Sequence, residues 1–128
     1  MTDSIMKAKK LYLMDTHLAG RKYYDCDEVF EELKVGTMLY LARDESNPHD
    51  DNAVEVIYKR PESLRPEGTD GDDNTFKLGF IPREDNETIA PFLEMGWNDI
   101  FECRICKIDP NAHYEHQIFL NIKIKRNK

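Results

Sequence analysis

The sequence predicts a mainly β protein, with about six strands and two short helices folded into a small, compact β-barrel. The first sign is alternation near the C-terminus. His116, Ile118, Leu120, Ile122 and Ile124 share one face of a strand, while Gln117, Asn121, Lys123 and Lys125 occupy the other. The second is a series of short β-rich runs separated by turns of Gly, Pro, Asn and Asp. The third is that helical spacing is confined to two brief stretches.

In chain order, Tyr12 to Asp15 and Leu18 to Tyr24 read as one strand or two, with a break near Asp15. Asp27 is placed to cap a short helix carrying Val29, Phe30 and Leu33. Val35 to Arg43 and Ala53 to Lys59 follow as strands, the second with Val54, Val56 and Tyr58 on one face. Phe76 to Ile81 is a short strand stopped by Pro82. The next helix carries Ile89, Phe92 and Leu93 and ends at Gly96, and Pro91 inside it predicts a kink or two short helices. Phe101 to Ile108 and Gln117 to Lys125 make a hairpin around Pro110 and Asn111. One segment stands apart: residues 60–75 are rich in Pro, Gly and acids, and read as an inserted surface loop.

A chain of 128 residues, 40% hydrophobic and 10% aromatic, has the size and composition of one globular domain, read as residues 1–128. No apolar run approaches the roughly 18–20 residues of a membrane-spanning helix. MTDSIMKAKK has lysines but no apolar segment of signal-peptide length behind them. Three cysteines without framework spacing predict reduced thiols, and a cytoplasmic location is expected.

The net charge of −7 argues against a broad basic groove for nucleic acid. Charge is unevenly spread, however. The inserted loop sets Glu62, Glu67, Asp70, Asp72 and Asp73 against Arg65, and a second acidic cluster runs Asp25, Asp27, Glu28, Glu31, Glu32. The C-terminus is basic, with Lys123, Lys125, Arg126 and Lys128, so a local cationic site is compatible with the composition.

Two chemistries fail on spacing. Cys103 and Cys106 give C-x2-C, and His113 and His116 give H-x2-H, but the histidine pair is tighter than finger spacing. The cysteines sit in a strand, where an odd separation sends them to opposite faces. No metal and no cofactor is expected. His49-Asp50-Asp51 places a base beside carboxylates, yet no second segment offers a matching ligand set for a metal-assisted hydrolase. Phosphate-cradling glycine loops and nucleophile elbows are missing from the sequence, so a non-enzyme is expected.

The most unusual stretch is RDESNPHDDNAV, Arg43 to Val54, which crowds four acids, an arginine, a histidine and two asparagines around Pro48. Local turn chemistry accounts for part of it. Asn47 and Asp50 can make Asx turns about Pro48, and Asn52 can bond the backbone before the next strand.

Three motifs in order carry a resemblance: AGRKYYD (Ala19 to Asp25), LKVGTMLYLARDESNPHDDNAVEV (Leu33 to Val56) and KLGFIPRE (Lys77 to Glu84). They comprise an aromatic pair after a basic residue, an R-x3-NP-x-D-x-NA core, and a G-[aromatic]-[Ile]-P-[basic] strand end. Over roughly Leu18 to Gly96 the chain resembles the HIRAN family. The likeness is to the module attached to fork-remodelling helicases, although no Walker motif is present in this sequence.

The resemblance implies an OB-like barrel that binds single-stranded DNA, particularly a free 3′ end. It also implies a protein partner supplying helicase or nuclease activity. It places Lys22 on a phosphate, Tyr23 on a terminal base, and Asn47 and Asp50 on the terminal nucleotide, with Asp50 accepting from the 3′-hydroxyl. Phe80 and Arg83 line the other wall, Arg83 on a phosphate, and Tyr24 has a structural role. His49 stands where helicase-linked members carry a tyrosine, and it stacks more weakly. Lys22 replaces an arginine capable of bidentate binding.

Competing expectations stay open at this level. One of Tyr23 and Tyr24 belongs to the core if the segment is a strand, and Phe80 can be barrel packing. Arg83 can pair with Glu84 or Glu87, and the acidic loop can shield the site. The alternative function is a protein-interaction module that keeps the fold without binding DNA.

Overall fold

The computed structural model describes residues 9–126, so most of the MTDSIMKAKK segment and Lys128 lie outside the described residues. Six strands form one antiparallel sheet: β1 (Lys10–His17), β2 (Met38–Arg43), β3 (Val54–Lys59), β4 (Thr75–Phe80), β5 (Phe101–Ile108) and β6 (Ile118–Lys125). Their order is β1-β6-β5-β2-β3-β4. The fold is mainly β and OB-like, but the ladder does not close. A single antiparallel bridge, Ala19 to Phe80, joins the chain just beyond β1 to the end of β4 through two hydrogen bonds of 2.8 Å.

Alternation explains the core. Leu39 and Leu41 of β2, Val54, Val56 and Tyr58 of β3, Phe76 and Leu78 of β4, and Ile118, Leu120 and Ile122 of β6 are all buried in one cluster. Removing each such side chain from water is worth about 1.5–3 kcal/mol. Gly79 permits the bridge that draws the edges together. A β-carbon there would lie 2.3 Å from the Ala19 carbonyl oxygen, so only glycine admits that backbone approach.

Helical content is three single turns, α1 (Cys26–Val29), α2 (Arg83–Asn86) and α3 (Ala90–Glu94), with short 3-10 turns between strands. Pro91 lies in the first turn of α3, directly after Ala90, rather than kinking a longer helix, so the stretch after Pro82 divides in two. Gly96, at φ +91°, ends it. Ile89 and Leu93 are buried, but Phe92 is exposed and meets Phe101 edge-on at 6.0 Å.

Four local expectations are corrected. Leu18 to Tyr24 is not a strand: Gly20 adopts φ +70° and turns the chain into a 3-10 turn at Arg21–Tyr23. Asp27 does not cap α1, because its carboxylate pairs with Arg21 at 2.6 Å and Asp25 occupies the cap. Neither Tyr23 nor Tyr24 enters the core. At the other end, His116 and Gln117 precede β6, His116 lying in a 3-10 turn at Tyr114–His116.

The acidic insertion is ordered rather than loose. Asn74, fully buried, donates to the Thr69 hydroxyl and the Asp70 carbonyl, and accepts from Arg60. Arg60 in turn holds the Glu32 carboxylate through two bonds, of 3.0 and 2.6 Å. The insertion follows the C-terminal end of β3, whereas the Asp50 loop precedes its N-terminal end.

Candidate nucleic-acid interface

The loop between β2 and β3 is built by its own short polar side chains. The Asn47 side-chain oxygen accepts from the amides of His49 (2.8 Å) and Asp50 (3.1 Å), and its amide nitrogen donates to Asp44 at 3.3 Å. Asp50 accepts from the Asn52 amide at 2.9 Å. Pro48 and His49 sit exposed at the tip of the resulting double turn. Arg43 braces the loop from below, donating to the Asp51 carbonyl (2.7 Å) and to Glu94 of α3 (2.6 Å).

Asp50 is the best-supported polar group of the loop. Its second oxygen accepts from the buried Asn86 of α2 at 2.8 Å and lies 3.6 Å from the Arg83 guanidinium. Burial alone would raise its pKa. The Asn52 amide, Asn86 and Arg83 together outweigh burial and hold the carboxyl below its ordinary value. A carboxylate offers about four lone-pair positions, so with two hydrogen bonds made Asp50 can still accept from a hydroxyl. Its side chain retains 19% exposure. Arg83 is anchored by the His49 carbonyl and Asp50, not by Glu84 or Glu87, and stays 70% exposed, so some of its N–H groups face solvent.

The second wall is aromatic. Tyr24 meets Phe80 edge-on at 5.4 Å, and the Lys77 ammonium lies 4.5 Å from the Tyr24 ring and 4.4 Å from that of Phe80. Lys77 and Phe80 share this side although three residues apart, because the β3–β4 register shifts between Val56 and Ile57. Tyr23 is 73% exposed on the preceding turn, with the Lys22 ammonium 5.5 Å from its ring. Arg21 supports that turn from inside. Its guanidinium is buried between the Phe30 and Tyr114 rings, at 4.7 and 4.8 Å, and donates to Cys26 Sγ and Asp27.

Thus Asn47, Pro48, His49, Asp50, Asn52 and Arg83 form one constellation, and Phe80 carries the neighbouring aromatic wall beside the turn of Lys22 and Tyr23. Asn52 contributes its backbone amide to Asp50. Sequence reasoning missed Asn86 and Lys77 and gave Tyr24 no ligand-facing role. The only linear clue to Lys77 is its alternation with the buried Phe76 and Leu78.

Cys103 is buried and Cys106 exposed. The His116 ring lies 5.7 Å from that of His17 and 6.3 Å from that of His113, yet among the described residues no group of three or more His, Cys, Asp or Glu could hold a metal ion.

The open OB-like sheet thus carries a polar loop at one end and a lysine-dressed aromatic pair beside the Arg21–Tyr23 turn. The HIRAN domain model matches residues 11–125, and the chain belongs to that family. The match extends past the three motifs into both terminal strands. HIRAN domains are nucleic-acid-binding modules.

The chain is 26% identical over 114 residues to a Fanconi-associated nuclease 1 homolog from Oryza sativa subsp. japonica, covering 88% of this chain but only 10% of that protein. Among solved structures, a protein from Lactobacillus plantarum superposes with a TM-score of 0.67 at 21% identity, covering 92% of this chain and 97% of that one. The HIRAN domain of human HLTF gives 0.57 at 17% identity, covering 91% and 78%. Both show the fold. Among the described residues no helix is long and apolar enough to cross a membrane.

Proposed function

We propose that this domain binds single-stranded DNA by its free 3′-hydroxyl end, without catalysis, and presents that end to a protein partner supplying helicase or nuclease activity. The observation that carries this reading is Asp50, an ionised, hydrogen-bonded carboxylate with accepting capacity left over beside a mostly exposed arginine. An ionised carboxylate only accepts, so it favours a terminal hydroxyl and repels a terminal phosphate.

Each neighbour has a role. Tyr23 stacks on the terminal base and Phe80 with Tyr24 lines the pocket, while Lys22, Lys77 and Arg83 serve the phosphates. Two or three local cations hold one strand end despite the net charge of −7. Asn47, whose oxygen is engaged by the loop amides, keeps one N–H for the nucleotide. The nuclease homologue among the relatives favours DNA repair as the setting. Three free cysteines fit a reducing, cytoplasmic compartment.

Fluorescence anisotropy with a short 3′-hydroxyl oligonucleotide tests the reading. Binding should weaken as salt rises and fall about fivefold or more in Tyr23→Ala, the range that stacking of one base implies. Tyr23→Ala with unchanged affinity would remove the base-stacking role.

A further inference from the structure

We infer that the outer face of β2 and β3 carries a second stacking platform, Tyr40 with Lys59, over which single-stranded nucleic acid continues after leaving the end pocket. The inference rests on the nucleic-acid reading above and extends it to residues outside the three sequence motifs' assigned contacts.

Strand register supplies the path. Tyr40 of β2 is paired with Ile57 of β3, which is paired with Lys77 of β4. Leu39, Leu41, Val56, Tyr58, Phe76 and Leu78, their chain neighbours, all point into the core, so Tyr40, Ile57 and Lys77 form one row across the outside. With strands about 4.8 Å apart, the row is roughly 10 Å long. At about 3.4 Å per stacked nucleotide, that accommodates about three.

Both ends of the row have the same construction. Lys77 lies against Tyr24 and Phe80 at one end, and the Lys59 ammonium sits 4.4 Å from the Tyr40 ring at the other. Tyr40 keeps 44% exposure. Two hollows of about 610 and 580 Å³ meet at Met38, Tyr40 and Lys59, leaving room on either side of the ring. Acids border the row: Glu55 is engaged by Lys77 at 3.6 Å and Glu32 by Arg60 at 2.6 Å, Glu31 and Glu32 lining the smaller hollow and Glu45 and Asp99 the larger.

An exposed aromatic with a cation on it, continuous with a terminal-base site, fits an unpaired strand better than a peptide. Stacking accepts any base, and the lysine tracks the backbone.

The test compares two 3′-hydroxyl oligothymidylates, a dinucleotide confined to the end pocket and an octanucleotide long enough to cross the row. The wild type should bind the longer one more tightly. Tyr40→Ala should weaken the octanucleotide about fivefold or more while leaving the dinucleotide unchanged, and Tyr40→Phe should retain both. Lys59→Ala should lower the octanucleotide's salt slope by about 0.7. Equal melting temperatures for Tyr40→Ala and wild type establish that the fold is intact.

Unchanged octanucleotide affinity in Tyr40→Ala, alongside weakened binding in Tyr23→Ala, overturns the platform and leaves the end pocket standing. A dinucleotide weakened as much as the octanucleotide also overturns it, because the platform would then not be a separate site. Failure of the wild type to bind either oligonucleotide overturns both readings.

Discussion

The side-chain amide of Asn86 donates to the carboxylate of Asp50 over 2.8 Å, tying the first turn after β4 to a loop 36 positions earlier. Asn86 is buried, so its carboxamide cannot turn to water if that bond is lost. Through it, the segment after Pro82 aims the residue proposed to read the strand end.

Asn86→Ala should therefore lower stability by about 1–2 kcal/mol, the range for removing a buried hydrogen-bond partner. It should also raise the Asp50 pKa, because a bond to the charged form is gone. Denaturant unfolding and carboxyl-carbon NMR titration measure the two effects. A stability loss with an unmoved Asp50 pKa would make Asn86 a packing residue only.

The pH dependence of Asp50 has a definite sign. Its folded pKa lies below the ordinary aspartate value of 3.8, so its stabilising contribution is present above that value and lost as pH falls through the folded pKa. At pH 3.8 the wild-type carboxyl should still be more than half ionised, and NMR titration reads that fraction directly.

Gly79→Ala should destabilise the fold by about 1–3 kcal/mol, the cost of overpacking a tight site. The added carbon would stand 2.3 Å from the Ala19 carbonyl oxygen and force the bridge to Phe80 apart. Hydrogen exchange should then accelerate at the amides of Ala19 and Phe80, which donate the two bridge bonds. Protection retained at both would show that the edges are joined in another way.

The acidic insertion should have little effect on binding at the Asp50 loop at physiological salt. It lies at the far end of β3 from the Asp50 loop, and six strand residues span about 17 Å, roughly twice the 8 Å Debye length. Shielding of the site was a reasonable expectation from composition, but the topology separates the two. Glu62→Gln, Glu67→Gln and Asp72→Asn together should change the affinity for a 3′-hydroxyl dinucleotide, confined to the Asp50 end, less than about twofold at 0.15 M salt, where screening is strong. An increase of tenfold or more would mean that the loop does reach the site.

Much of the sheet was legible because alternation and burial agree. β3 shows it in Val54, Val56 and Tyr58, and β6 in Ile118, Leu120 and Ile122. The turn after β1 was misread because Arg21 looks like a surface residue in a linear sequence. Its partners, Phe30 and Tyr114, are brought together only by the tertiary fold, and Arg21 retains 2% exposure between them.

The site divides in the same way. Asn47 and Asp50 announced their turn through Asx chemistry, which is local. Asn86 and Lys77 did not, because one reaches Asp50 across 36 positions and the other depends on a register shift between β3 and β4.

The most direct measurement of the central claim is anisotropy with matched oligonucleotides ending in a 3′-hydroxyl or a 3′-phosphate, on the wild type and on Asp50→Ala. The account predicts that the wild type prefers the hydroxyl end by about tenfold or more, as a charge-assisted hydrogen bond implies, and that Asp50→Ala loses the preference. Equal wild-type affinity for the two ends, or a preference surviving in Asp50→Ala, would contradict it.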